Sequence, residues 1–351
     1  MISFELSEEE KIIKKTAEDF GKILREQSRK AEKEGVSDQI KRKYSELGFG
    51  LMDISEELGG FGYGLFRKVL ALQCMSWGCA ATTLSLELSP VNLHLIQSID
   101  ADKDTKTKFK EEVMHNPWGI YIDFDGNFSI RNQKFSGKAW AVLGKNISKF
   151  ALIKGDEFFI FDEFDIVSKK PLALDAVGLN EVNLENSSPL YSSRINYKRF
   201  VSVIRVYLTA ILSGILRASF DYASQYAVER EAFGKKIAHH QGLAFALSDF
   251  SISVSIADLC AWRSAWSLDS GQENFEQICA DSFSYTAELA EKFTVWGVQI
   301  LGGHGFVKDH MVEKWMREAK AISLLFGGKY YADLDSFGLN QGNLLDQQQK
   351  V

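Results

Sequence analysis

The chain has little of what marks several whole classes of protein. Its 351 residues hold four cysteines, Cys74, Cys79, Cys260 and Cys279. None forms a CxxC pair and the spacing matches no zinc site, so buried thiols in a reducing compartment are expected. Basic runs are short: the densest, Lys41-Arg42-Lys43, lies in a chain of net charge −6 and pI about 5.7. A nucleic-acid binder would carry a basic stripe, and this run reads as a solvated helix face. The segment Met1-Ile2-Ser3-Phe4-Glu5 turns acidic at once, so no signal peptide is expected. No apolar run approaches the roughly 18 residues needed to cross a bilayer. The expectation is a cytoplasmic protein with neither a nucleic-acid nor a membrane partner. There is no internal repeat.

What is present is a globular composition. With 45% hydrophobic and 25% charged residues, the chain has material for a large core and two or three domains. Ser7-Glu8-Glu9-Glu10 has the form of a capping box opening a helix. Ile12, Ile13, Ala17, Phe20, Ile23 and Leu24 then recur at helical spacing. A second helix is expected over about 38–47, long apolar helices over about 65–99, and a charged one over about 104–114. Between them, Glu57-Leu58-Gly59-Gly60-Phe61-Gly62 is a glycine-rich turn.

The pattern changes at Pro117. Short β-type runs at 118–123, 128–131, 139–143, 150–154 and 157–161 are punctuated by Asp125-Gly126-Asn127, Ser136-Gly137 and Gly155-Asp156. This predicts a small barrel or sandwich. Helices return over about 201–228, 238–266, 274–301 and 311–325, which suggests a bundle. The organisation read from the sequence is helical over 1–116, β over 117–198 and helical over 199–351. A polar tail after Asp333, ending in Gln347-Gln348-Gln349, is expected to fray.

Two segments stand out chemically. The first runs from Arg230 to Gln241, where a helix ends, Gly234 turns the chain and another helix begins. An arginine at such a corner suits a phosphate. The second is Gln299-Ile300-Leu301-Gly302-Gly303-His304-Gly305-Phe306, whose paired glycines let a flat ring or phosphate approach the backbone. Each alone is weak, because glycine is the commonest helix C-cap.

Together they resemble the acyl-CoA dehydrogenase family. Its pattern R-x-x-F-G-x-x-x-x-x-x-Q is met by Arg230, Phe233, Gly234 and Gln241, and its Q-I-x-G-G-x-G-[FY] by Gln299 to Phe306. Met316-Arg317-Glu318-Ala319-Lys320 matches its M-R-[DE]-A-K helix, and 57–62 resembles its E-x-G-G-x-G turn. The resemblance implies the family's fold: an N-terminal helical domain, a small β-barrel (here shortened) and a C-terminal four-helix bundle. It also implies FAD. In the family these motif residues grip the pyrophosphate and adenosine of a neighbouring subunit's FAD. By that likeness Arg230, Phe233, His240, Gln241, Gln299, Ile300, Gly302 and Gly303 would bind the cofactor.

Against the same pattern, several positions depart. The family's base, the Glu of Y-E-G-T six residues after the M-R-[DE]-A-K lysine, falls on Phe326 in Leu325-Phe326-Gly327-Gly328. The alternative base, the Glu of an E-R pair on an earlier helix, falls on Ile204 before Arg205; Gly214 matches a later glycine of that helix. Neither side chain accepts a proton, and general base catalysis is worth about 10²–10⁴ in rate. No catalytic residue is therefore assigned. The flavin-cradling loop T-E-P-x-A-G-S-D is replaced by Ile122 to Asn127, and W-I-[ST] by Trp140-Ala141-Val142, without its hydroxyl. Trp140 reads as a core residue, with stacking near an isoalloxazine as its alternative, and Asp123 and Asp125 read as turn residues, with substitute acids as theirs.

Residues lent to a neighbour's flavin are kept; those serving the chain's own flavin are lost. The chain thus resembles the non-catalytic subunit of α2β2 acyl-CoA dehydrogenases, sharing FAD with a homologous catalytic subunit. The expected substrate is an acyl thioester of CoA or of acyl-carrier protein, in lipid metabolism, with electron-transfer flavoprotein as a candidate redox partner. A flavin-dependent monooxygenase on this fold and a flavin-free binding homologue are the alternatives.

Overall fold

A computed structural model describes residues 5–338. The glutamine-rich end of the tail lies outside the described residues. The first region is helical: α1 (Glu8–Glu34), α2 (Asp38–Glu46), α3 (Leu65–Leu86), α4 (Leu88–Ser98) and α5 (Lys103–His115). The expected capping box opens α1, with Glu10 N donating to Ser7 Oγ (3.3 Å) and Ser7 N to Glu10 Oε2 (2.7 Å). Ala17, Phe20, Leu24 and Ala31 form its buried face, while Ile12 points to solvent. That face meets α3 at a contact only glycine permits: a Cβ on Gly78 would lie 2.1 Å from the Gly21 carbonyl oxygen. α3 begins at Gly64, which has no side chain to cap it. Asp269, some two hundred residues later, accepts from Leu65 N (2.9 Å) and Phe66 N (2.8 Å) instead, satisfying two orphan donors of the helix.

A buried ionic cluster ties these helices together. Lys68 Nζ lies 2.6 Å from Glu87 Oε2 and 3.9 Å from Asp53 Oδ1, with all three side chains fully buried. Tyr44 Oη donates to Glu87 (2.8 Å) and Tyr207 Oη to Asp53 (2.7 Å), and His94 Nε2 is 2.8 Å from Asp53.

The middle of the chain carries β1 (Gly119–Ile122), β2 (Phe128–Arg131), β3 (Lys134–Leu143), β4 (Phe150–Lys154), β5 (Glu157–Phe161), β6 (Asp165–Lys169), β7 (Leu179–Ser187) and β8 (Tyr191–Arg194). They form two four-stranded sheets, ordered β1-β4-β5-β8 and β2-β3-β7-β6. The sheets share a phenylalanine core, in which Phe128 and Phe135 of one meet Phe150, Phe159 and Phe161 of the other. β3 is longer than its sequence suggested because two irregularities, between Phe135 and Gly137 and between Ala139 and Val142, break its alternation. The second puts Ala141 at φ 61° and leaves Trp140 57% exposed beside Lys169. Trp140 is therefore a surface residue, contrary to the expectation of a core one.

The third region is built on α6 (Tyr197–Glu229). Its apolar length is buried against α3 and two later helices, α7 (Gln241–Asp269) and α8 (Phe275–Leu301). α9 (Val312–Ile322) and α10 (Gly328–Ser336) complete the described chain. Among the described residues three helices, α3, α6 and α7, are long and apolar enough to cross a membrane by length and composition. The sequence reading missed this because it sought an uninterrupted run, whereas the helices intersperse polar residues. In α3 and α6 the apolar windows are 72% and 94% buried, so their hydropathy belongs to the core; in α7 the figure is 22%. The outward face of α7 carries Phe245, Ile252, Leu259 and Trp266, all exposed, at a seven-residue interval.

Candidate functional site

The segment after α6 is a hairpin, not the plain helix–turn–helix corner its sequence suggested. β9 (Glu231–Ala232) pairs antiparallel with β10 (Lys235–Lys236). Phe233 (φ 54°) and Gly234 (φ 79°) form the two-residue turn. Positive φ at both positions is the signature of a type I′ turn, which favours Asn-Gly. A phenylalanine in the first position is strained. It is also 96% exposed, so neither local conformation nor burial accounts for it. Behind it, His240 Nε2 lies 3.2 Å from the Ala232 carbonyl, and its ring meets Phe233 edge-on at 6.1 Å. His240 thus pins the hairpin to the start of α7, where Gln241 is exposed. Arg230 is exposed, and its guanidinium has no hydrogen bond or ion pair among the described residues.

α8 ends at Leu301, and Gly302 (φ 57°) turns the chain into a short 3-10 segment, Gly302–Phe306. Gln299, Gly302 and Gly303 are exposed, and a Cβ on Gly234, Gly302 or Gly303 would meet nothing within 4 Å. Ile300 is different. It is 6% exposed and packs in the core, so its side chain is not available to a ligand. One side chain joins the two motifs: Tyr226, one helical turn before Arg230, lies with its Oη 3.0 Å from His304 Nδ1, next to Gly303. The expected cofactor residues, apart from Ile300, therefore converge on one open surface at the end of α6.

The other end of α6 is closed. Phe326 occupies the left-handed region (φ 49°, ψ 49°) in the turn between α9 and α10, and Ile204 is buried. In front of Phe326, Phe124 stacks on Tyr331 with centroids 4.4 Å apart. A Cβ on Gly327 would come 2.7 Å from the Phe124 ring. Tyr331 Oη donates to Asp125, and burial, then that carboxylate, push the phenol above its ordinary range. The space left here, lined by Tyr121, Trp140, Phe326 and Tyr331, is about 240 Å³, below the range of cofactor pockets. Arg205 is also committed: it pairs with Asp335 and reaches the Tyr331 carbonyl (3.4 Å). Asp123, as expected of a turn residue, accepts from Asn127 N (2.6 Å) and from Lys154 (2.7 Å).

These two ends give opposite answers for FAD. The open surface offers an unpaired guanidinium, an exposed aromatic ring and uncrowded glycines, which fit an adenosine diphosphate. Beside Phe326 the stacked rings of Phe124 and Tyr331 leave too little room for a flavin ring, and the larger space of about 660 Å³ between the sheets and the bundle lies to one side, lined by Ala141, Leu172, Met316 and Leu324. Sequence reasoning missed that plug, and missed Tyr222, Tyr226 and His310, which stand outside the motifs. The four-residue spacing of the tyrosines on one helix face was the available signal.

Comparison with known proteins follows the same layout. The sequence models for the acyl-CoA dehydrogenase N-terminal and C-terminal domains match residues 7–101 and 196–329, the helical regions flanking the sheets. A probable acyl-CoA dehydrogenase of Bacillus subtilis (strain 168), YngJ, is 22% identical over 363 residues, spanning 92% of this chain and 95% of that protein. Butyryl-CoA dehydrogenase from Megasphaera elsdenii superposes with a TM-score of 0.83 at 18% identity, over 96% of this chain and 99% of that one. A chain of the ChsE4-ChsE5 complex from Mycobacterium tuberculosis does so with 0.80 at 18% identity, over 96% and 98%. At these identities the two structures establish a shared fold.

Proposed function

The chain belongs to the acyl-CoA dehydrogenase family, and from that premise we propose that it is the non-catalytic subunit of a hetero-oligomeric, FAD-dependent acyl-CoA dehydrogenase. It lends its adenosine-diphosphate grip to an FAD held mainly by a homologous catalytic partner. The partner supplies the flavin pocket and the base that desaturates an acyl thioester. The observation that carries this reading is the contrast between the ends of α6. Phe233 and Arg230 are presented to solvent at one end, while Phe124 and Tyr331 fill the flavin-ring position at the other. Arg205 and Arg230 are 25 residues apart on one helix, or about 38 Å at 1.5 Å per residue. That exceeds the diameter of a small domain, which supports a grip serving a cleft other than the chain's own. The exposed stripe on α7, which starts at Gln241 of the grip, offers a surface for the same partner. Cytoplasmic placement and electron transfer to a flavoprotein belong to this proposal.

The test is to purify the chain alone, and then with a family member that retains the Y-E-G-T glutamate, and to read flavin absorbance. The expected result is that the chain alone binds too weakly to retain flavin through purification, and that the complex carries stoichiometric FAD. Arg230→Ala should lower FAD affinity of the complex at least tenfold, about the worth of a charged hydrogen bond. Acyl-CoA oxidation by the chain alone would overturn the reading.

A further inference from the structure

Beside the grip stands a group of side chains to which the proposed function assigns no role. Tyr222 and Tyr226 lie four residues apart on α6, facing the same way. Tyr222 Oη is 2.7 Å from His310 Nδ1, and Tyr226 Oη is 3.0 Å from His304 Nδ1. The imidazoles stack on each other, with centroids 5.4 Å apart and planes 14° from parallel. Behind them Trp315 meets Tyr222 edge-on at 5.8 Å. The Arg25 guanidinium lies over Trp315 (4.5 Å) and Trp77 (4.0 Å). Arg29 Nη2 donates to the His310 carbonyl (2.8 Å), fixing the loop that carries that ring. The histidines are thus held from behind by a packed aromatic stack, while His304 is exposed in front.

This arrangement has a chemical consequence. A phenol that donates to Nδ1 leaves the ring proton on Nε2. In the tautomer in which the phenols donate, each histidine presents an N–H on the edge away from its tyrosine, and neither Nε2 has a partner among the described residues. The two stacked imidazoles stand beside Tyr226, and the guanidinium of Arg230, without a partner among the described residues, lies one turn beyond it at the end of the same helix. Of the acidic side chains nearby, Glu229 accepts from Gln225 and Glu313 is held by Arg29 and Arg317, while Asp309, next to His310, is exposed.

We infer that His304 and His310 form a second anion seat beside Arg230, which receives the diphosphate of an adenosine diphosphate ligand through the Nε2–H groups. The inference rests on the grip proposed above and adds residues to it: Phe233 and the glycines hold the adenosine end, and the histidines with Arg230 hold the phosphates. It also sets a preference. A ligand without the second phosphate leaves the donor set partly unfilled.

The experiment uses the full chain with ¹³C-labelled histidine rings. The sequence has six histidines, and His304→Gln and His310→Gln assign the two of interest. ADP is titrated at constant ionic strength, with adenosine and inorganic pyrophosphate as separate arms. With ADP, the ring signals of His304, His310 and His240 should move, while those of buried His94 and distant His115 stay. Pyrophosphate should move His304 and His310, and adenosine His240 alone. His304→Gln should weaken ADP about threefold to tenfold, the worth of one hydrogen bond, with an unchanged melting temperature. If ADP moves His240 but leaves His304 and His310 still, the seat is wrong and the grip survives. If ADP moves none of the three, the grip fails and the seat with it. Unchanged ADP affinity in His304→Gln also overturns the seat.

Discussion

Phe124 stacks on Tyr331 with ring centroids 4.4 Å apart and planes 25° from parallel, and this pair fills the cleft between the sheets and the bundle where it reaches Phe326. The contact joins the turn after β1 to α10, so it is a tertiary bolt as well as a plug.

Its strength is measurable. A double-mutant cycle with Phe124→Ala and Tyr331→Ala should give a coupling of about 0.5–1.5 kcal/mol, the excess typical of an aromatic pair. Urea unfolding supplies the four free energies. The double variant should still fail to oxidise an acyl-CoA, because opening the cleft does not replace Phe326 with a base. Activity in that variant would show that a substitute base exists.

The hairpin turn predicts a trade between stability and binding. Phe233→Asn puts the residue that a type I′ turn favours at a position where phenylalanine is strained and exposed. It should stabilise the chain by about 1 kcal/mol, read as a higher midpoint in thermal or urea unfolding. The same variant should lower FAD retention in the complex. A destabilised variant would mean that the ring contributes to the fold through His240.

Lys68 holds two buried carboxylates. Lys68→Met leaves Asp53 and Glu87 without their cation and should destabilise the chain by about 3–5 kcal/mol. Tyr207→Phe, which removes one neutral donor from Asp53, should cost only about 1–3 kcal/mol. Equal losses in the two variants would mean that the ion pair is no more important than its hydrogen bonds.

Glu32 sets an acid limit on stability. Burial pushes its carboxyl up, but the Arg317 and Arg29 guanidiniums more than offset this and hold it down from 4.5 to about 2. A carboxyl held low in the folded state stabilises fully above its unfolded value and loses that contribution as pH falls. The window is therefore pH 4.5 down to 2. Glu32→Gln should flatten the stability–pH curve across that window and leave its slope above pH 5 unchanged. The readout is the urea midpoint as a function of pH.

Local signals made most of the fold legible. The capping box at Ser7 and Glu10, the strands 128–131, 150–154 and 157–161, and the long C-terminal helices all declare themselves by spacing within a few residues. The misses share a cause. β6 is exposed along its whole length, so it carries no alternation to read. Trp140 is turned outward by an irregularity that only strand pairing reveals. The cap on α3 comes from Asp269, far away in sequence. At the candidate site, the motif residues were readable because their types are constrained by chemistry. The inward-facing side chain of Ile300 could not be read, because a motif does not say which of its side chains are buried. The plug was invisible because Phe124 and Tyr331 lie more than two hundred residues apart and meet only in space.

The length of α6 has a consequence for how such a chain arises. Direct couplings between residues die away beyond about 10 Å, and the two ends of this helix are several times farther apart. Changes that filled the cleft near Arg205 therefore cost nothing at Arg230. A substitution at one end can accumulate without disturbing the other. The helix acts as an insulator between its two ends, so that a closed site at one and an open surface at the other are set independently.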